Sequence, residues 1–514
     1  MKRISWVLCC VLLGSLAGAA PPGAKPGDKP IWLVVTRPMF VEALKPLIGR
    51  RANEGFEAAV STESPDKALA GLRHRPAFVV LVGDDQPGGA GKPWFVPARR
   101  MKLYRWQGSQ GETFASDMAW GDLDGDDAPD VPVSRLPAQT VDQVTLMVDK
   151  IAAWEDRPAS VDDLSISVWA GAAMYNEFVD SLATAILLTS VQASSPPWAP
   201  CGIISSDRGS PLCGWPDDQP AMFEERVRRG GFFNFMIGHG DIVQFVGMPG
   251  SGYSAGRPAR AFGKGPPAAP LLILACHCGN FASGFWQCLT KAMVLAPGGP
   301  VAAIGATTVS HPLPNYFSGQ CFLSSLGAPG EGRIGTLWLA SERRAAQMRQ
   351  PLVERILRDV EGALEDQIDL VKLRRDQTLM YALLGDGATR LRRVEPMTVK
   401  VERAGDRWRW QAERPADALE LHVGFRPSEA ATIAVKVNPD REQARKSFDE
   451  ANAAFAFIPL AKLPAREKWE GTVDKPGTLR LVAVAPGKLY VATEVLKRPT
   501  PPPTTPAKTP APGG

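Results

Sequence analysis

Residues 232–241 read FFNFMIGHGD, and residues 271–281 read LLILACHCGNF. Each is an unbroken apolar run that stops at glycine or at a reactive side chain. Such short runs fit strands buried on both faces, the kind that build parallel sheets. In open sheets of this kind, sites gather where strands end at their carboxyl side. His239 and Cys276 stand at two such ends, which makes them a candidate base and nucleophile. Gly238 and Gly240 let the backbone turn sharply and approach a substrate carbonyl. The amides of Gly240 and Cys276 are then candidates for an oxyanion hole. A neighbouring imidazole lowers the thiol pKa and supplies thiolate. His277 is the rival base, but adjacent side chains on an extended segment diverge, which favours His239.

Working outward, strands are expected at 31–36, 56–60, 77–82, 164–170 and 301–306, besides the two already quoted. Helical patterns fall at 40–54, 66–72, 140–155, 175–189, 221–229 and 283–296, and 338–384 reads as mostly helical. Strands alternating with helices imply an α/β fold, a parallel sheet with both faces covered. Past Met397 the pattern changes. Short runs at 419–424, 431–437 and 479–484 suggest a small all-β, Ig-like sandwich.

The chain has 514 residues, 45% of them apolar and 22% charged, enough for a large core and for more than one domain. Its net charge of +4 over that length argues for no nucleic-acid partner. Lys2 and Arg3, the apolar run 4–16 and the small residues 17–19 form a secretory signal peptide over 1–20. The run is shorter than the roughly 20 residues a membrane span needs. The expected mature protein is therefore secreted or periplasmic, with no membrane-spanning segment. The expected organisation is a catalytic region over 30–395, divided near 160, a sandwich over 397–497, and a Pro-rich disordered tail over 498–514. In an oxidising compartment Cys201 and Cys213, which flank a polar loop, are the expected disulfide.

Asp122, Asp124 and Asp126 alternate around Gly125, a pattern able to wrap a hard cation such as Ca²⁺. The twelfth position from Asp122 is Val133, so the bidentate Glu of an EF-hand is absent. Any calcium here would be structural, and the chemistry at Cys276 requires no cofactor.

The pair Gly-His-Gly and Ala-Cys-x-x-Gly-x-Phe resembles the gingipain family of cysteine peptidases, peptidase family C25. Residues 33–36 and 43–47, 79–84, 117–137 and 381–391 resemble further family segments in order, with Gly387 where many members have Pro. The resemblance covers roughly 30–395 and implies a caspase-like fold. It implies that Cys276 attacks the peptide carbonyl and that His239 shuttles the proton. The family's third catalytic carboxylate falls in the stretch 128–131, so Asp130 would orient His239, in place of the Glu of better-known members. Arg-specific members carry an acidic residue in the pocket that receives the residue before the cut. Near 170–180 the acidic candidates are Glu177 and Asp180, and the stretch around His311 and Pro312 should form another pocket wall. The expectation is a secreted cysteine endopeptidase that cleaves protein or peptide through a thioester. The alternatives are a catalytically silent caspase-like binding module and a thiol acyltransferase or transpeptidase.

Overall fold

A computed structural model describes residues 28–105, 113–174, 177–248, 250–263, 265–284, 287–328, 332–355, 369–428 and 440–497. The signal segment 1–20, the run 431–437 and the tail 498–514 lie outside the described residues.

Ten strands form one sheet. In chain order they are β1 (Ile31–Val35), β2 (Glu57–Ser61), β3 (Phe78–Val82), β4 (Val133–Leu136), β5 (Ile166–Ala170), β6 (Cys201–Ser205), β7 (Phe233–Ile237), β8 (Leu271–Leu274), β9 (Ala303–Ala306) and β10 (Tyr381–Leu384). Across the sheet the order is β2-β1-β3-β4-β10-β9-β8-β7-β5-β6. Every pairing is parallel except β9 with β10, where Ala303 faces Leu384. Two five-stranded parallel halves therefore run in opposite directions. The carboxyl ends of β7, β8 and β9 leave the sheet on the edge where β4 and β10 begin.

The inner strands are apolar on both faces because helices cover both. Among the helices are α1 (Val41–Asn53), α2 (Val141–Asp156), α3 (Glu177–Ser194), α4 (Gln219–Arg228), α5 (Leu289–Leu295), α6 (Pro312–Ser325), α7 (Ile334–Gln347), α8 (Leu370–Met380) and α9 (Arg441–Ala453). Leu271, Leu272, Ile273 and Leu274 are all buried, and each such side chain contributes about 1.5–3 kcal/mol. Trp32, Trp154, Trp169 and Trp338 fill the space between sheet and helices. Arg51 of α1 bonds Glu155 of α2 and Asp386 beyond β10, fastening both helices to the segment that follows β10.

The sequence pattern placed 338–384 in helix, but Tyr381–Leu384 is the strand β10. It follows α8 directly, with no Gly or Pro between them, and a four-residue apolar run carries no period that separates strand from helix. The C-terminal region packs a five-stranded sheet against a three-stranded one. Arg407–Glu413 alternates strictly, burying Trp408, Trp410 and Ala412 between the sheets. The region is not all-β as expected, because it also carries α9. Its first strand, Arg393–Pro396, starts before Met397. α9 docks on the edge of the ten-stranded sheet. Asn452 accepts from the Ile203 amide at 2.7 Å and donates to the Ile203 carbonyl at 3.0 Å. Phe448 of α9 is buried in the core under that edge. No helix among the described residues is long and apolar enough to cross a membrane.

Candidate active site

Register places the two reactive side chains. Ile237 faces Leu274 in the β7–β8 pair, and the Gly238 amide donates to the Leu274 carbonyl at 3.1 Å. His239 and Cys276, each two residues further on, leave adjacent strands at one level.

His239 pairs with Val246 of a small antiparallel sheet and has an exposed side chain. Its Nε2 lies 2.8 Å from the Ala173 carbonyl, on the loop after β5. A carbonyl only accepts, so this bond fixes the proton on Nε2 and leaves Nδ1 as the basic nitrogen. Gly238 and Gly240 do not sit in the left-handed region, so no sharp turn requires them. They are needed for space. A Cβ on Gly240 would lie 2.6 Å from Cys278 Sγ and 3.0 Å from the Cys276 carbonyl oxygen. A Cβ on Gly238 would lie 3.1 Å from Gly171 Cα. The glycines bring the histidine strand against the cysteine turn.

Cys276 is half-buried, and its Sγ accepts from the Ser310 amide at 3.4 Å. The chain turns sharply right after it. His277 has φ +58, a left-handed conformation that a non-glycine residue adopts at a cost, and its amide donates to the Thr308 carbonyl at 2.9 Å. Such strain collects at functional sites, and here it sets the sulfur at the rim of the sheet. Burial lowers the His277 pKa while Asp241 opposes the shift.

The remaining described thiols are more deeply buried than Cys276. Burial raises the pKa of Cys201, Cys278, Cys288 and Cys321 and pushes Cys213 up to about 11. The expected Cys201–Cys213 disulfide is absent, and both are free. Cys201 sits on the edge strand with its Sγ on Ser195 Oγ, while Cys213 takes a hydrogen bond from Gln219 on α4.

The structure does not bring Asp130 to His239. Asp130 precedes β4, and four strand positions separate β4 from β7. At about 4.8 Å per position that is roughly 19 Å. Its carboxylate instead pairs with Arg75 at 2.5 Å and accepts from the Leu123 amide at 3.1 Å. The orienting contact on His239 is the Ala173 carbonyl, which has no side-chain signature to find in a sequence.

The acidic loop is also rearranged. Asp122, Asp124 and Asp130 bring ligand oxygens within 4.8 Å of one another. Asp126 turns away and accepts from the Ala128 amide at 2.9 Å. Three clustered carboxylates are the donor set a hard cation takes. The set therefore fits Ca²⁺, with Asp130 in place of Asp126.

Of the expected pocket residues, His311 is buried and caps α6 by accepting from the Leu313 amide at 3.1 Å. Asp180 accepts from the Met174 amide at 3.2 Å, holding the loop that carries Ala173. The Glu177 side chain lies outside the described residues.

A mostly parallel α/β sheet with a half-buried thiol at its strand-end edge is an arrangement that suits a cysteine peptidase. The sequence pattern of peptidase family C25 matches residues 25–392, and the chain belongs to that family. Its fold is similar to that in the complex of Porphyromonas gingivalis RgpB pro- and mature domains, at 11% identity and TM-score 0.51, over 90% of this chain and 99% of that one. It is equally similar to the crystal structure of the Arg-specific cysteine proteinase gingipain R, at 12% identity and TM-score 0.51, over 93% and 100%. At such identities the likeness is one of fold. No curated protein sequence matches the chain.

Proposed function

We propose that this protein is a secreted cysteine endopeptidase in which Cys276 and His239 act as a pair on protein substrates. The observation that carries the reading is their placement at one level on adjacent strands, with the His239 ring held through Nε2 by the Ala173 carbonyl. His239 Nδ1 takes the Cys276 thiol proton. The thiolate attacks the peptide carbonyl carbon, and the oxyanion is held by the amides of Gly240 and Cys276. Collapse breaks the C–N bond, and the leaving amine takes the proton from His239, leaving a thioester on Cys276. His239 then takes a proton from water, the resulting hydroxide attacks the thioester, and the acid product departs as the thiol is restored. Asp122, Asp124 and Asp130 would hold a structural Ca²⁺, whose two positive charges, with Arg75 beside Asp130, would offset the three carboxylates and take no part in bond breaking.

The test is a peptidase assay with labelling by a thiol-directed peptide probe. Cys276→Ala should abolish both. His239→Ala should lose a comparable factor in kcat/KM, on the order of 10³-fold or more, and the double variant should lose little beyond either. Full turnover by Cys276→Ala would overturn the reading.

A further inference from the structure

Cys276 meets Ser310, on the segment that follows β9. Its Sγ takes the Ser310 amide at 3.4 Å, the neutral thiol donates to the Ser310 carbonyl at 3.6 Å, and the Ser310 hydroxyl oxygen lies 3.9 Å away. Ser310 leads into α6, a 14-residue helix capped by His311. The sulfur thus lies beside a helix amino end, where negative charge is favoured.

The hydroxyl is held in turn. Ser310 Oγ accepts from Asn315 Nδ2 at 2.9 Å. Asn315 must present that nitrogen, because its Oδ1 is claimed by two donors. The Tyr381 hydroxyl reaches it at 2.6 Å and Gln377 Nε2 at 3.1 Å. Burial raises the Tyr381 pKa well above its ordinary value, so Tyr381 remains a donor at any working pH. Ser310, Asn315, Gln377 and Tyr381 are all buried. With one lone pair engaged by Asn315, the Ser310 hydrogen has two acceptors in reach, the Tyr381 hydroxyl oxygen and the Cys276 sulfur at 3.9 Å, and charge on the sulfur draws it there. Apolar side chains of the same shape would serve the fold about as well as such a chain.

Resting on the peptidase reading above, we propose that Ser310 is a positioning residue for Cys276, held by Asn315, Tyr381 and Gln377 so that its N–H and O–H both donate to the thiolate. When the Cys276 proton passes to His239, negative charge appears on sulfur and both donors act on it. As the S–C bond forms, the charge moves to the oxyanion and the two bonds weaken. The network therefore favours thiolate at low pH and adds little to later steps. Losing the hydroxyl should move the acid limb of kcat/KM to higher pH while leaving the high-pH plateau nearly intact. A merely structural residue would lower the plateau instead.

The direct test is the pH dependence of iodoacetamide alkylation on the full chain, with Cys276→Ala as the blank for the other thiols. Ser310→Ala should raise the midpoint by about 0.5–1 pH unit, and Ser310→Thr should restore it. Tyr381→Phe, which removes one hydroxyl without changing shape, should raise it in the same direction and serves if Ser310→Ala fails to fold. An unshifted midpoint in a folded Ser310→Ala or Tyr381→Phe overturns the proposal. Alkylation needs no peptide, so a wild-type chain that titrates as expected but cleaves nothing would count against the peptidase reading alone.

Discussion

Replacing Glu342 by Gln should remove a pH dependence from the stability of this protein. Glu342 lies on α7, fully buried, with no hydrogen-bond partner on Oε1 among the described residues. Burial pushes its carboxyl from 4.5 up to about 8, with the Ser318 hydroxyl pulling weakly the other way. The folded chain therefore keeps this proton across a window in which the unfolded chain releases it. Stability is fully present below pH 4.5, falls as pH rises toward 8, and then levels off. At about 1.4 kcal/mol per pH unit, the ceiling across the window is about 5 kcal/mol. Gln keeps the shape and carries no such slope. The assay is denaturant unfolding of both proteins at steps from pH 5 to pH 9. The gap between Glu342→Gln and wild type should widen with pH up to about 8. Lys150, which burial pulls down to about 7, contributes an opposite slope above that pH in both proteins and cancels in the difference. Parallel curves for the two proteins would refute the assignment of a buried, protonated Glu342.

Two further outcomes concern the acidic loop. Asp130→Asn should lower Tm by loosening the contact with Arg75, yet leave kcat/KM within about threefold and its pH profile unmoved, since its carboxylate does not touch His239. A loss of 10³-fold would return Asp130 to the catalytic group. Chelator should lower Tm and added Ca²⁺ restore it if Asp122, Asp124 and Asp130 bind the ion. Superimposable melting curves would show a loop held only by its own amides and Arg75.

The segments around His239 and Cys276 were legible because buried parallel strands write themselves as unbroken apolar runs, and because reactive residues at their ends have no packing reason to be there. The helix α9 was legible too and was missed: Asp440 caps Gln443, and Ala444, Phe448 and Ala451 share a face, but the surrounding β pattern drowned it. β10 could not be separated from α8 by period. Ala173 acts through its backbone, and any residue there offers the same carbonyl. Ser310 reaches Cys276 only because β8 and β9 are neighbours, a pairing that residue types do not state. Asp130 was placed beside His239 by the family resemblance alone, and residue types do not state that the antiparallel junction at β9 and β10 leaves two strands between β4 and β8.

Ile203 lies on β6, the last strand of the ten-stranded sheet, where open amide and carbonyl groups would template a neighbouring chain. Asn452, 249 residues away, fills both valences with one side-chain amide. The region that comes after the catalytic part along the chain is therefore, in space, its seal. A protein cut after residue 395 would keep every group at the Cys276 edge and still be a different substance, sticky along β6 and prone to join a second copy strand to strand. Any search for the smallest active unit has to carry α9 with it.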